Sequence, residues 1–132
     1  MSFPVTHIDH VSVLITDVAR SRHFYGDILG LREIPAPRTF DFVAIWYDLG
    51  GTYLHLLLKD QPDTMSPRHF CLHVSDIRAA REHALSQGLR VDETVKIPGA
   101  DRFFLRDPDG NRIEVLQWET RYDPQQDGRY LV

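Results

Sequence analysis

The sequence predicts an α+β fold of two tandem modules, each reading strand, helix, then three strands. Three observations predict it. The chain repeats after 59 residues, so that His10 recurs as His69, Asp17 as Asp76, Asp48 as Asp107, Gly51 as Gly110 and His55 as Glu114. Gly30-Leu31 recurs as Gly88-Leu89 with a slip of one residue. Within each copy, apolar residues alternate with a period of two in the stretches that would be strands. A self-similar period of this kind constrains the whole architecture, because each copy is one supersecondary unit.

The elements follow in order. In the first copy, His7 to Ile15 alternates as a half-buried strand. Asp17 is placed to cap a helix running to about Leu29, with Gly30 as its stop. A short strand is expected over Arg32 to Pro35, followed by strands over Phe42 to Leu49 and Thr52 to Lys59 joined at Gly50-Gly51. Asp60 to Pro67 is a proline-containing linker. The second copy opens with a strand over Arg68 to Val74 and a helix capped by Asp76 that runs to about Gln87 and stops at Gly88. Leu89 to Val95 is a short strand. Arg102 to Arg106 and Arg112 to Trp118 form a hairpin about the turn Asp107-Pro108-Asp109-Gly110-Asn111. Residues from Glu119 onward are polar and Pro/Gly-interrupted and read as an extended tail. The expected organisation is one domain over residues 1–132, with module one about 7–59, linker 60–67, module two about 68–118 and tail 119–132.

Composition narrows the partners. A unit of about 59 residues is marginal alone, so pairing of modules and a homodimer are expected. Apolar residues make up 42% and charged residues 26%, as in ordinary globular domains. A net charge of −4 with scattered arginines offers no basic face for nucleic acid. No run approaches the roughly 18 apolar residues of a membrane span. No signal-peptide pattern is visible at the N-terminus. Cys71 is the single cysteine, which excludes an internal disulfide. A cytoplasmic location and a small-molecule partner are expected.

Strand parity then selects a site. On the first strand Val11, Val13 and Ile15 oppose His10, Ser12 and Leu14. On the strand closing the first copy, Leu54, Leu56 and Leu58 oppose Tyr53, His55 and Leu57. On the strand opening the second copy, Phe70, Leu72 and Val74 oppose His69, Cys71 and His73, and on the last, Ile113 and Val115 oppose Arg112, Glu114 and Leu116. The aliphatic set suits a face covered by a helix, and the ligand candidate falls on the other face each time. A lone strand histidine is more often a hydrogen-bonded structural residue than a ligand. Four candidates at repeat-equivalent positions reverse that preference. Three imidazoles and one carboxylate suit one divalent transition metal, Zn, Ni, Co, Fe or Mn, better than Ca or Mg. Four protein ligands leave two positions of an octahedron for water or substrate, as a catalytic site requires. His7 lies on the opposite parity to His10, and His23 and His83 fall on helices. Tyr53, Cys71 and His73 share the ligand face and are candidate pocket residues. The Asp107–Asn111 segment reads simply as a turn.

The runs His7-Ile8-Asp9-His10-Val11-Ser12-Val13, His23-Phe24-Tyr25 before Gly30-Leu31, Arg68-His69-Phe70-Cys71-Leu72-His73-Val74, and Phe104 to Val115 resemble the vicinal oxygen chelate superfamily. That superfamily includes glyoxalase I, methylmalonyl-CoA epimerase, fosfomycin-resistance thiol transferases, extradiol dioxygenases and bleomycin-binding proteins. The resemblance implies paired βαβββ modules forming a cupped mixed sheet with helices outside. It implies a metal in the cup held by His10, His55, His69 and Glu114, and Glu114 acting also as a base in a glyoxalase-type lyase or isomerase. Many glyoxalases I carry an arginine four residues after the first ligand and an asparagine four after the second, where this chain has Leu14 and Lys59. Thiol transfer to an epoxide antibiotic, extradiol-type oxygenation and metal-free sequestration of a drug or metabolite are the alternatives the resemblance carries.

Overall fold

The computed structural model describes residues 2–131. Met1 and Val132, the first and last positions of the expected domain, lie outside the described residues. The chain divides into two compact units, Met1–Ser66 with Asp107–Asn111, and Pro67–Arg106 with Arg112–Val132.

The first unit contains β1 (His10–Ile15), α1 (Val18–Arg22), β2 (Arg32–Ile34), β3 (Ala44–Asp48) and β4 (Tyr53–Leu58). Its sheet has the order β1-β4-β3-β2. β1 runs parallel to β4, with His10 beside Tyr53 and Ser12 beside His55, while β3 is antiparallel to both β4 and β2. Asp17 caps α1 as its position predicts, its carboxylate accepting from the Arg20 amide at 2.8 Å. The expected single helix to Leu29 is corrected beyond Arg22, because His23–Ile28 is π-helical and Leu29 N–H reaches back to the Phe24 carbonyl at 2.9 Å. The wider turn lets two successive aromatic residues, Phe24 and Tyr25, both enter the core, packed edge to face at 4.9 Å. Ile15, Ile45, Tyr47, Leu54 and Leu56 complete that core. β1 starts at His10, three residues later than the alternation suggests.

Asp107–Asn111 is more than a turn. The buried Asp107 carboxylate accepts from Tyr25 Oη at 2.6 Å, from the amides of Asp109 and Asn111 at 2.9 and 2.8 Å, and from Asn111 Nδ2 at 2.8 Å. Asp109 accepts from the Thr16 amide and hydroxyl and from Arg20, and Asn111 Nδ2 also donates to the Leu14 carbonyl. The segment is thus wired into the first unit, along the end of β1 and the start of α1.

The second unit contains β5 (His69–His73), α2 (Ile77–Ser86), β6 (Asp92–Glu93), β7 (Ala100–Arg106), β8 (Arg112–Trp118) and α3 (Pro124–Asp127). Its sheet has the same plan, β5-β8-β7-β6, with β5 parallel to β8. α2 is capped by Asp76 and ends at Gly88, whose φ of +75° closes the last turn. Ile77, Ala84, Phe103, Leu105, Ile113 and Val115 form its core. β6 is shorter than the expected Leu89 to Val95, because the Val95 carbonyl accepts from the Arg102 guanidinium at 2.8 and 3.1 Å. The tail is not wholly extended. Asp123 caps the short α3, and the amides of Glu119 and Thr120 donate to the Gly99 carbonyl.

Candidate functional site

In each unit the parallel pair of strands places its two ligand candidates on one face. In the first unit, His10 and His55 lie diagonally across the β1–β4 pair, one step apart in register. Their rings stack at 4.2 Å between centroids. Trp46, beside His55 in the β3–β4 register, stacks on its other face at 3.8 Å with the planes only 10° apart. His55 is therefore clamped between two rings and is only 8% exposed. Its Nε2 is buried without a hydrogen-bond partner, as is Trp46 Nε1. Burial, and next the neighbouring His10 ring, hold His55 below the usual imidazole pKa, with Asp9 opposing. The ring is thereby kept neutral, with a lone pair to offer.

His10 is more open, and its Nδ1 lies 2.9 Å from the Asp9 carboxylate. A carboxylate accepts, so Nδ1 carries a proton, and it is Nε2 that would present a lone pair to a metal.

In the second unit, His69 and Glu114 lie diagonally across β5 and β8. His69 Nδ1 lies 2.9 Å from the Pro67 carbonyl, which only accepts, so that nitrogen also carries the proton. Nε2 then faces Glu114 Oε1 at 3.1 Å. In a neutral ring this sets a lone pair against a carboxylate oxygen, and the two repel unless a cation lies between or beside them. A proton satisfies the contact, and so does a metal ion. With metal–ligand bonds of about 2.0–2.2 Å, two neighbouring donors on one octahedral ion lie about 3 Å apart. Taken within each unit, the donor chemistry suits a divalent metal: two imidazoles in the first, one with an orienting partner on Nδ1 and one with an orphaned Nε2, and an oriented imidazole beside a carboxylate in the second.

Glu114 is buried, 6% exposed, on a face otherwise populated by Cys71, Arg102, Phe104 and Arg112. Arg102 Nη1 approaches its Oε1 to 3.5 Å. The Cys71 thiol hydrogen-bonds to the carboxylate, and its burial, together with the Glu114 charge, pushes its pKa up to about 12. Although Cys71 is exposed at the surface, it is thus a thiol donor and not a thiolate nucleophile. Phe104 packs edge-on to His69 at 4.9 Å and carries the Arg112 guanidinium over its face at 3.6 Å.

The sequence-selected residues thus assemble as His10 with His55 in one unit and His69 with Glu114 in the other. Among the described residues, no group of three or more His, Cys, Asp or Glu side chains that could hold a metal ion occurs. Tyr53 shares the His10 face and is half-buried, Cys71 adjoins Glu114, and His73 is exposed beside Leu116. Trp46 and Arg102 were not selected from the sequence. Extending the parity argument to β3 and β7 finds both, since Trp46 pairs with His55, and Arg102 is two residues from Phe104, which pairs with Glu114.

A family model for the Glyoxalase/Bleomycin resistance protein/Dioxygenase superfamily matches residues 7–115. Glyoxylase I 4 of Arabidopsis thaliana is 26% identical over 127 residues, covering 88% of this chain and 73% of the plant protein. The uncharacterised Escherichia coli (strain K12) protein YaeR is 30% identical over 123 residues, covering 83% and 95% of the two chains. The crystal structure of a glyoxalase family protein from Bacillus anthracis superposes with a TM-score of 0.83 at 28% identity, covering 89% of this chain and 99% of the other.

Proposed function

The chain belongs to the Glyoxalase/Bleomycin resistance protein/Dioxygenase superfamily, and from that premise we propose that it is a divalent-metal-dependent enzyme of glyoxalase type. Its reaction is a lyase or isomerase step on a small oxygenated substrate, carried by metal-assisted proton transfer. His10, His55, His69 and Glu114 supply the four protein ligands, and the enzyme works as a cytoplasmic homodimer. The observation that carries the reading is the 3.1 Å contact of His69 Nε2 with Glu114 Oε1, where the Pro67 carbonyl has already claimed the proton on Nδ1.

A divalent ion held by His10, His55, His69 and Glu114 would supply Lewis-acid polarisation of substrate oxygens and stabilisation of negative charge developing on them. The protein's own contribution is positional. Asp9 and Pro67 fix the ring orientation of His10 and His69, and Trp46 clamps His55. Glu114 is the acid–base group. It is buried, it is reached by the Cys71 thiol as a donor, and Arg102 supplies a positive charge beside it. Leu14 and Lys59 stand where many glyoxalases I carry the arginine and asparagine that hold glutathione, which weighs against a glutathione adduct as the substrate.

Elemental analysis of protein purified without chelator tests the reading. About one divalent transition-metal ion per chain is expected, lost from His55→Ala and Glu114→Ala. Absence of a stoichiometric ion, with no rise in melting temperature on metal addition, refutes it. The reading would then pass to a metal-free sequestering protein, for which both substitutions leave ligand binding intact.

A further inference from the structure

The second unit holds a half-buried guanidinium that none of the proposed metal chemistry uses. Arg112 lies on β8, two residues before Glu114 on the same face and beside His69 in the β5–β8 register. Its guanidinium lies over the Phe104 ring at 3.6 Å, and its Nη1 donates to the Pro67 carbonyl at 3.2 Å in a contact open to solvent. The same carbonyl accepts from His69 Nδ1 at 2.9 Å, and the His69 ring meets Phe104 edge-on at 4.9 Å. One carbonyl and one ring thus hold the Arg112 guanidinium and the His69 imidazole side by side. Among the described residues, no Asp or Glu carboxylate lies within ion-pair distance of Arg112. Arg102, by contrast, approaches Glu114 at 3.5 Å, and Arg20, Arg22, Arg32 and Arg81 each pair with an acid.

We propose that Arg112 is a specificity-determining residue that binds an oxyanion group of the substrate, a carboxylate or a phosphonate, through the donors Pro67 leaves open. The proposal deepens the metalloenzyme reading by giving the substrate a negative charge, and it rests on that reading only for the chemistry that follows binding. Three physical arguments carry it. A guanidinium stays ionised at every working pH, so half-burying it without a counter-charge is unfavourable unless an anion meets it in use. Pro67 engages one N–H of the planar fork and stacking on Phe104 fixes its plane, so the remaining donors face a two-oxygen acceptor at little entropic cost. Charge balance points the same way. Arg102 answers the Glu114 carboxylate, which leaves the Arg112 charge for a ligand to answer. A purely structural role accounts for the contact with Phe104 but not for a fork left without an anion. The shared Pro67 carbonyl puts an anion held there next to His69, within the face that carries the acid–base group.

The test follows the arginine Nε–H resonances of the ¹⁵N-labelled full chain by NMR, first stripped of metal and then with metal restored. The probes are glycolate, its neutral amide glycolamide, and hydroxymethylphosphonate. The Arg112 resonance, identified by its loss from Arg112→Lys, should shift saturably with glycolate, with an affinity about 10-fold or more above that for glycolamide. Whichever of glycolate and the phosphonate binds tighter names the oxyanion. Arg112→Lys keeps the charge, loses the fork and should weaken binding about 10-fold. Arg38→Met, the same change of charge at an exposed arginine, should leave it unchanged. Saturation in metal-free protein supports the anion site even where no metal is ever taken up. Equal affinity for glycolate and glycolamide in the wild type overturns it, and does so without touching the metal reading when the protein still takes up its ion. An Arg112 resonance that moves on dilution and not with either anion assigns the guanidinium to a carboxylate of a second copy and likewise overturns the proposal.

Discussion

Replacing Glu114 by glutamine separates the metal reading from a purely structural one, because the two predict opposite balances of stability with and without metal. The amide keeps the volume of the buried side chain and removes its charge. Without metal, the amide N–H can donate to the His69 Nε2 lone pair now 3.1 Å from Oε1, so the repulsive contact becomes a hydrogen bond. The amide oxygen still accepts from Cys71, and Arg102, 3.5 Å away, keeps its hydrogen bonds to the Val95 carbonyl, so metal-free Glu114→Gln should match the wild type within about 1–2 kcal/mol. With metal the order reverses. At a free metal concentration 100 times Kd, binding stabilises the wild type by about 2.7 kcal/mol. Loss of an anionic ligand should weaken affinity by at least the ~100-fold associated with losing an orienting partner of a ligand, which leaves about 0.4 kcal/mol at the same concentration. For a chain of this size that is a rise of roughly 8–11 °C in the wild type against about 1–2 °C in the variant. Differential scanning calorimetry on chelator-stripped protein, repeated with Zn, Ni, Co, Fe(II) and Mn, reads both quantities. Equal metal-induced rises in the two proteins refute the assignment of Glu114 as a ligand. A variant several kcal/mol less stable without metal refutes the lone-pair argument on which the assignment stands.

Tyr25→Phe removes a 2.6 Å charge-assisted hydrogen bond to the buried Asp107 carboxylate and should cost about 1.5–3 kcal/mol, visible as a lower midpoint in urea denaturation. If the loss is under 0.5 kcal/mol, the Asp107–Asn111 segment is not held as described. Gly99→Ala combines a φ of +79° with a Cβ that would lie 2.3 Å from Thr120 Oγ1 and 2.9 Å from its carbonyl oxygen, and should destabilise by about 2–4 kcal/mol, with Thr120→Ala relieving only part. Burial raises the Tyr25 hydroxyl well above 10 and the Tyr47 hydroxyl to about 12. The folded state thus holds protons that the unfolded state releases from about pH 10, so stability is full below that and falls as pH rises toward 12. Urea midpoints at pH 9 and pH 11 should show the fall, and Tyr47→Phe should make it shallower.

Much of the candidate site was legible because a strand alternates its side chains and a parallel pair keeps equivalent faces together. That local rule puts His10 on the His55 face and His69 on the Glu114 face wherever the sheets end up. Capping was legible for the same reason, since Asp17 and Asp76 act on amides three residues away. The π-helical stretch His23–Ile28 was not, because helical and π-helical turns draw on the same residues and the choice falls to packing, here the burial of both Phe24 and Tyr25. Trp46 and Arg102 went unselected because their strands carry no repeat-equivalent ligand to draw attention to them.

By itself, then, the sequence determined the two-module α+β plan, the family and the pairing of ligand candidates within each module. These depend on periodicities and caps that act over a few residues, and on a repeat visible without coordinates. Only the tertiary structure decided that Tyr25 bonds Asp107, 82 residues away, that Asp109 takes the Thr16 amide and hydroxyl, and that Trp46 clamps His55. Such contacts join positions whose spacing along the chain follows no period. What fixes them is shape and charge complementarity once the elements have packed.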